Sequence, residues 1–227
     1  MSIDLSRQLA EAARELEGSG DPSTTMERAV QLAVQLVRGA DEAGITLARR
    51  GKGVETPAAT DPLVEKVECW QFELDEGPCL DAIGKQEVVR SRDVGADERW
   101  PSWGPKVAKE TGVRSMLCLR LFTREDLVGG LNLYSYNVDG FSEEDVEEGL
   151  ALAAQTAVAI ATAREIAQLR VAVDGRTVIG QAQGILMERF RLDATQAFAV
   201  LARVSQDRNV KVRHIAEELV LTRHLPE

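Results

Sequence analysis

The side chains best suited to holding a polyanion lie in the last fifty residues. Lys211, Arg213, Arg208 and Arg203 can pair with phosphate oxygens, and Gln181, Gln183, Ser205 and Asn209 can hydrogen-bond base edges or sugar hydroxyls. Arg176, Gln206 and His214 extend the same set. Asn209 stands just before the apolar-periodic run Val212, Ile215, Ala216, Leu219 and Val220, so it is expected to cap a helix whose free N–H groups and positive dipole end suit an anion. Each residue also has a plainer role. Asn209 can serve only as a cap, Ser205 can bond its own helix, and Lys211 and Arg213 can simply be solvated.

Thiols are the second source of chemistry. Cys69, Cys79 and Cys118 are odd in number and lack any C-x-x-C spacing, and the two histidines, His214 and His224, are far along the chain. That argues against a zinc site, a haem ligand and a disulfide scaffold, and leaves buried thiols or a redox sensor. No metal or cofactor is expected.

Charge separates the two ends. The chain carries a formal net charge of −10, yet residues 166–227 hold 9 Lys plus Arg against 7 Asp plus Glu, so the acidic balance belongs to the front. A mildly basic tail on an acidic body is compatible with phosphate contacts at one end. No apolar run approaches the roughly 20 residues of a membrane span, and the first twenty residues lack the basic flank and apolar stretch of a secretory signal. A cytoplasmic protein with no membrane partner is therefore expected.

The elements that must position these groups can be read from periodicity. Leu5, Leu9, Ala12 and Leu16 mark an amphipathic helix over Ser2 to Glu17, and GSGDPST breaks it before a second helix capped by Thr24 or Thr25. Strands are expected at Ala43 to Ala48, Cys69 to Leu74, Val88 to Ser91, Ser115 to Phe122 and Leu127 to Tyr136, with helices at Pro78 to Ile83 and Pro101 to Thr111. The last two strands read as an antiparallel hairpin.

A long helix then opens at Ser142, with Asp145 in the capping-box position. Along it Val146, Leu150, Ala153, Ala157, Ile160, Ala167 and Val171 follow a heptad spacing with Arg164 in one slot; the first half is expected to pack on its own sheet, and past Ala163 a parallel two-chain coiled coil is expected. Three short-looped helices are expected from Arg176, the second capped by Asp193 with Gln196. The fold class is α+β, with one central antiparallel sheet, a long linking helix and a three-helix tail. The expected domains are 1–20, an N-terminal helix, 21–163, and 164–227.

The string VIGQAQGILMERF, followed by DATQAFAVLARVSQDRNVKVRHIAEELV, resembles the ANTAR domain, the RNA-binding output module of bacterial antitermination regulators. Ile179, Gln181, Ala182, Gly184, Ile185, Leu186 and Met187 carry the match in the first helix. Ala197, Leu201, Ser205, Asn209, Lys211 and Ala216 carry it beyond. The family usually has Lys or Arg where this chain has Gln183, which removes one phosphate contact. Ala182 and Gly184 read as close-packing positions, and no aromatic stacking platform is expected.

The front resembles a GAF domain through DEGPCLDAI, RWPSW, GVRSMLCLRL, GGLNLYS and FSEED in order. Together the resemblances imply a small-molecule sensor, a dimerising helix and a tail that binds paired RNA stem-loops so that a terminator cannot form. Cyclic-nucleotide GAF domains carry an Asn-Lys pair, a Phe and an Asp-Glu pair. Asn137, Phe141 and Asp145 fit, but Val138 and Val146 replace the Lys and Glu, so nucleotide binding is not expected. Trp70, Trp100, Trp103 and Tyr134 read as core. The alternatives are a thiol sensor, a GAF-type methionine sulfoxide reductase using Cys69 and Cys79, and a tail that only docks protein.

Overall fold

The computed structural model describes residues 3–49, 53–84, 87–123 and 127–225. The chain divides into two compact units, Met1–Arg164 and Glu165–Glu227.

In the first unit, α1 (Ile3–Glu17) buries Leu9, Ala12 and Leu16, and α2 (Pro22–Leu36) buries Met26, Ala29, Val30 and Ala33 in the same core. Asp21 caps α2, accepting from the Ser23 and Thr24 N–H groups at 2.9 and 3.1 Å, with Pro22 in the first turn. The cap thus lies upstream of the expected Thr24 or Thr25. A carboxylate accepts N–H more strongly than a hydroxyl does, and the fixed φ of proline favours the first helical position.

Five strands form one antiparallel sheet: β1 (Glu42–Arg49), β2 (Gly53–Ala59), β3 (Val88–Ser91), β4 (Ser115–Phe122) and β5 (Leu127–Ser135), in the order β2-β1-β5-β4-β3. Helices α3 (Pro62–Leu74), α4 (Pro78–Gly84) and α5 (Trp103–Thr111) belong to one face. Both faces of the sheet are covered, so β4 is buried on both sides. Leu117, Leu119 and Leu121 join the core of α1 and α2, and Met116, Cys118 and Tyr134 join the other. That double burial is why SMLCLRLF reads as a nearly continuous apolar run.

Two expectations fail here. Cys69 to Leu74 is not a strand but the second half of α3. Asp61 caps that helix and Pro62 opens it, and Val64, Val67, Glu68 and Gln71 are buried on one helical face. The fifth strand is β2, hidden from a periodicity reading by Pro57. Proline removes a ladder N–H, which is tolerated because β2 is an edge strand and its register with β1 shifts between Ile45 and Leu47.

Helix α6 (Glu143–Phe190) is a single helix of 48 residues. At its start Asp145 accepts from the Ser142 N–H at 2.7 Å and Ser142 Oγ accepts from the Asp145 N–H at 3.2 Å, a capping box closed by the shorter acid. Leu152, Ala153, Ala157 and Ile160 are buried in the sheet core. By length and composition α6 could cross a membrane, with mean hydropathy 1.2 over eighteen residues, which corrects the expectation that no segment is apolar enough. Those four side chains are already taken up by the packing of a core helix.

In the second unit, the end of α6, α7 (Ala194–Arg208) and α8 (Val212–Thr222) enclose Ala182, Leu186, Ala197, Leu201, Ile215, Ala216 and Leu219. Asp193 and Gln196 form the expected capping box at 2.8 and 3.0 Å. The first helix of the tail is not separate, since α6 runs through Arg176 unbroken. Gly175, Gly180 and Gly184 do not break it, because a helix tolerates glycine at a cost of only about 1 kcal/mol each.

Candidate functional site

The α7–α8 junction gathers Ser205, Arg208, Asn209, Lys211 and Arg213. Asn209 is not the cap of α8. It closes α7 in the left-handed conformation (φ 52°, ψ 40°), with its N–H donating to the carbonyls of Ser205 and Gln206. Asparagine tolerates this region better than most residues, which explains its place. Ser205 Oγ donates to the Val210 carbonyl at 2.5 Å and the Val210 N–H donates to the Ser205 carbonyl at 3.0 Å, so Ser205 and Asn209 form the turn itself.

Lys211 holds the cap position of α8, makes no side-chain cap bond and is exposed. Its carbonyl accepts from His214 and Ile215. The N–H groups of Val212 and Arg213 therefore stand at the open positive end of an eleven-residue helix. The arginines around it are engaged: Arg213 with Glu217 at 2.7 Å, Arg208 with Glu218 at 3.1 Å and Arg203 with Asp207 at 3.9 Å. Among the described residues Lys211 has no ion pair.

Gln183 and Gln181 lie elsewhere. The Gln183 amide donates to the Ala194 carbonyl at 2.9 Å and fastens the start of α7, so the residue that departs from the family pattern has a structural task. Gln181 lines an open groove with Gly184, Ile185, Glu188, Arg189, Val220 and Arg223, at the opposite end of α8 from Lys211. Arg189 donates to the Arg223 carbonyl across that groove at 2.7 Å. Neither arginine stood out in the sequence, because only the packing of α6 beside α8 brings them together.

One further expectation changes. Ala182 is a close-packing position, but a side chain at Gly184 would meet nothing within 4 Å, so that glycine faces open space. Phe190 and Phe198 are 52% and 45% exposed.

The interior of the first unit carries a polar cluster beneath α3. Glu68, fully buried, accepts from Asn132 Nδ2 at 2.8 Å, from Gln71 Nε2 at 3.0 Å and from the Tyr134 hydroxyl. Asn132 Nδ2 also reaches Thr46 Oγ1 at 3.0 Å, while Asn132 Oδ1 has no partner among the described residues. Burial raises the Glu68 pKa above its ordinary 4.5, against the hydrogen bonds from Tyr134, Thr46, Cys79 and Asn132 that favour the carboxylate. An acid with a raised folded pKa costs nothing while protonated in both states, and destabilises the fold as pH climbs past about 4.5. The urea midpoint of the wild-type chain is therefore expected to fall from mildly acidic to mildly alkaline buffer, and Glu68→Gln is expected to flatten that slope. An equal slope in both proteins would refute the assignment.

Trp103, Trp100 and Tyr134 are buried, Trp70 partly so. Trp103 Nε1 donates to the Val67 carbonyl at 3.2 Å, and the Trp100 and Trp103 rings pack edge to face at 5.8 Å. Cys79 and Cys118 are fully buried, and burial pushes both thiols well up. Cys69 is exposed, but its bond to Glu73 also raises it. Cys79 and Cys118 thus have no access to solvent, and Cys69 alone of the three is exposed.

The family profile of the GAF domain matches residues 19–161, and that of the ANTAR domain matches residues 167–220. The chain belongs to the GAF family and carries an ANTAR domain. A sensor-type GAF domain joined to an ANTAR module is the make-up of a signal-responsive regulator. The GAF domain of an Acinetobacter phosphoenolpyruvate-protein phosphotransferase is similar at 21% identity, over 73% of this chain and 98% of that one, with TM-score 0.57. The corresponding GAF domain from Coxiella burnetii is 16% identical over 73% and 98%, with TM-score 0.59. A free methionine-R-sulfoxide reductase from Neisseria meningitidis, solved with its substrate, is 18% identical over 73% and 95%, with TM-score 0.57. These likenesses show the GAF fold alone. No curated protein matches the chain.

Proposed function

We propose that this protein is a cytoplasmic, non-enzymatic regulator that acts by transcription antitermination. The GAF domain takes a small-molecule input, and two ANTAR domains of a homodimer bind paired RNA stem-loops. The observation that carries the reading is the α8 entrance, where an exposed, unpaired Lys211 stands on an open helix N-terminus while Arg203, Arg208 and Arg213 are tied to neighbouring acids. A phosphate there meets a lysine and free N–H groups at once. Loop bases beside that phosphate would be met by the exposed Asn209 next to Lys211.

A single module offers few contacts, so two held together gain affinity on the order of 10² to 10⁴ when the RNA presents two loops at matching spacing. Signal control then needs only a shift in pairing of a few kcal/mol. The test is binding of the full chain to a two-hairpin RNA and to a duplex of equal length across a salt series. Preference for the hairpins with log K falling linearly in log salt supports the reading. No binding to structured RNA at low salt would overturn it and favour a protein-docking tail.

A further inference from the structure

The groove between α6 and α8 is separate from the Lys211 entrance. Gln181, Gly184, Ile185 and Glu188, spaced by three and four residues, form one face of α6 there, and Val220 of α8 and its C-cap Arg223 form the opposite wall. The eleven residues of α8 hold this groove about 16 Å from Lys211, too far for one nucleotide to touch both. We infer that the groove is a second RNA subsite, which takes one unpaired loop base while the α8 entrance holds a backbone phosphate.

Charge, shape and edge chemistry all suit that occupant. Arg189 and Arg223 are exposed, and among the described residues neither has an ion pair, in contrast to Arg203, Arg208 and Arg213. With these two guanidinium groups against the single carboxylate of Glu188, the groove favours a polyanionic chain. The bond from Arg189 to the Arg223 carbonyl, 2.7 Å long, fixes one guanidinium across the groove, and such a plane stacks on a base. Ile185 and Val220 are half-buried and give the base apolar walls. Gln181 and Glu188 are exposed, an amide and a carboxylate able to bond the ring nitrogens and amino groups of a base edge. The floor stays open at Gly184, where a side chain would meet nothing within 4 Å, and the groove measures about 600 Å³, ample for one base.

The inference rests on the reading of the tail as an RNA binder, and Gly184→Leu in the full chain tests it apart from that reading. The leucine enters open space and replaces a mid-helix glycine, so thermal stability should hold or rise. Hairpin affinity is expected to fall on the order of tenfold to a hundredfold, with the salt slope little changed because no cation is removed. Replacing the loop nucleotides of the hairpin one at a time by abasic sites should reproduce that loss at one position in the parent chain and add nothing at that position in Gly184→Leu. Gly184→Leu that binds the hairpin as tightly as the parent, while Lys211→Glu weakens it, would sink the groove and leave the RNA reading standing. Equal abasic losses in parent and variant would likewise assign the base to another surface. A parent chain that binds no hairpin at low salt would overturn the groove and the RNA reading together.

Discussion

Lys211→Glu is expected to weaken hairpin binding by on the order of tenfold to a hundredfold and to lower the slope of log K against log salt by about one. Lys211 is the exposed cation of the α8 entrance that no acid among the described residues engages, so its charge is free for a phosphate. Reversal removes that attraction and adds a repulsion beside the open N–H groups of α8. It should not harm the fold, because a carboxylate at a helix N-terminus interacts favourably with the dipole. Loss of affinity with unchanged thermal stability is thus the expected pair of results. Arg213→Ala should cost less affinity, since its guanidinium already holds Glu217 at 2.7 Å. Equal affinity and equal salt slope for Lys211→Glu and the parent would remove the α8 entrance from the RNA surface.

Trp103→Ala is expected to cost the front unit about 3–5 kcal/mol, read as a fall in the urea midpoint with little change in slope. The Trp103 ring is fully buried in the core between α5 and the sheet, and its N–H bond to the Val67 carbonyl ties α5 to α3. Truncation opens a cavity and removes that tie between α5 and α3. A typical domain is stable by only 5–15 kcal/mol in all, so much of the margin would go. Glu76 makes the site stricter still, accepting from the Ser102 and Trp103 N–H groups at 2.8 and 2.9 Å. A loss below about 1 kcal/mol would mean that α5 packs on the sheet without its tryptophan.

For signalling, the two ends of the chain have different physical tasks. The GAF interior holds a carboxyl, an amide, a phenol and a thiol in one buried cluster, where any change in protonation or packing is felt strongly because the surroundings are of low dielectric. The ANTAR module buries a small core of seven residues and leaves its charges outside. A signal-responsive regulator fits this division, with the sensing interior in one unit and the charged surface in the other.

Much of the architecture was legible in local sequence because local forces decide it. The capping boxes at Ser142 and Asp193, the hairpin of β4 and β5, and the motifs of the GAF and ANTAR domains all rest on neighbouring residues. The misreadings have one cause. Cys69 to Leu74 alternates like a strand, but belongs to a helix started eight residues earlier by Asp61 and Pro62. β2 was hidden because an edge position excuses Pro57.

The site residues were named by type, and only the tertiary structure decided which are free. Arg208 meets Glu218 ten residues away, and Gln183 meets Ala194 eleven away, so neither pairing is visible in a linear string. Helix α6 shows the same limit. Its apolar residues are visible in the sequence, while packing against the sheet decides that Leu152, Ala153, Ala157 and Ile160 are buried and that Ile166, Leu169, Val171 and Val173 stay exposed. A hydrophobic pattern specifies that a face must be covered, and only the folded chain determines by what.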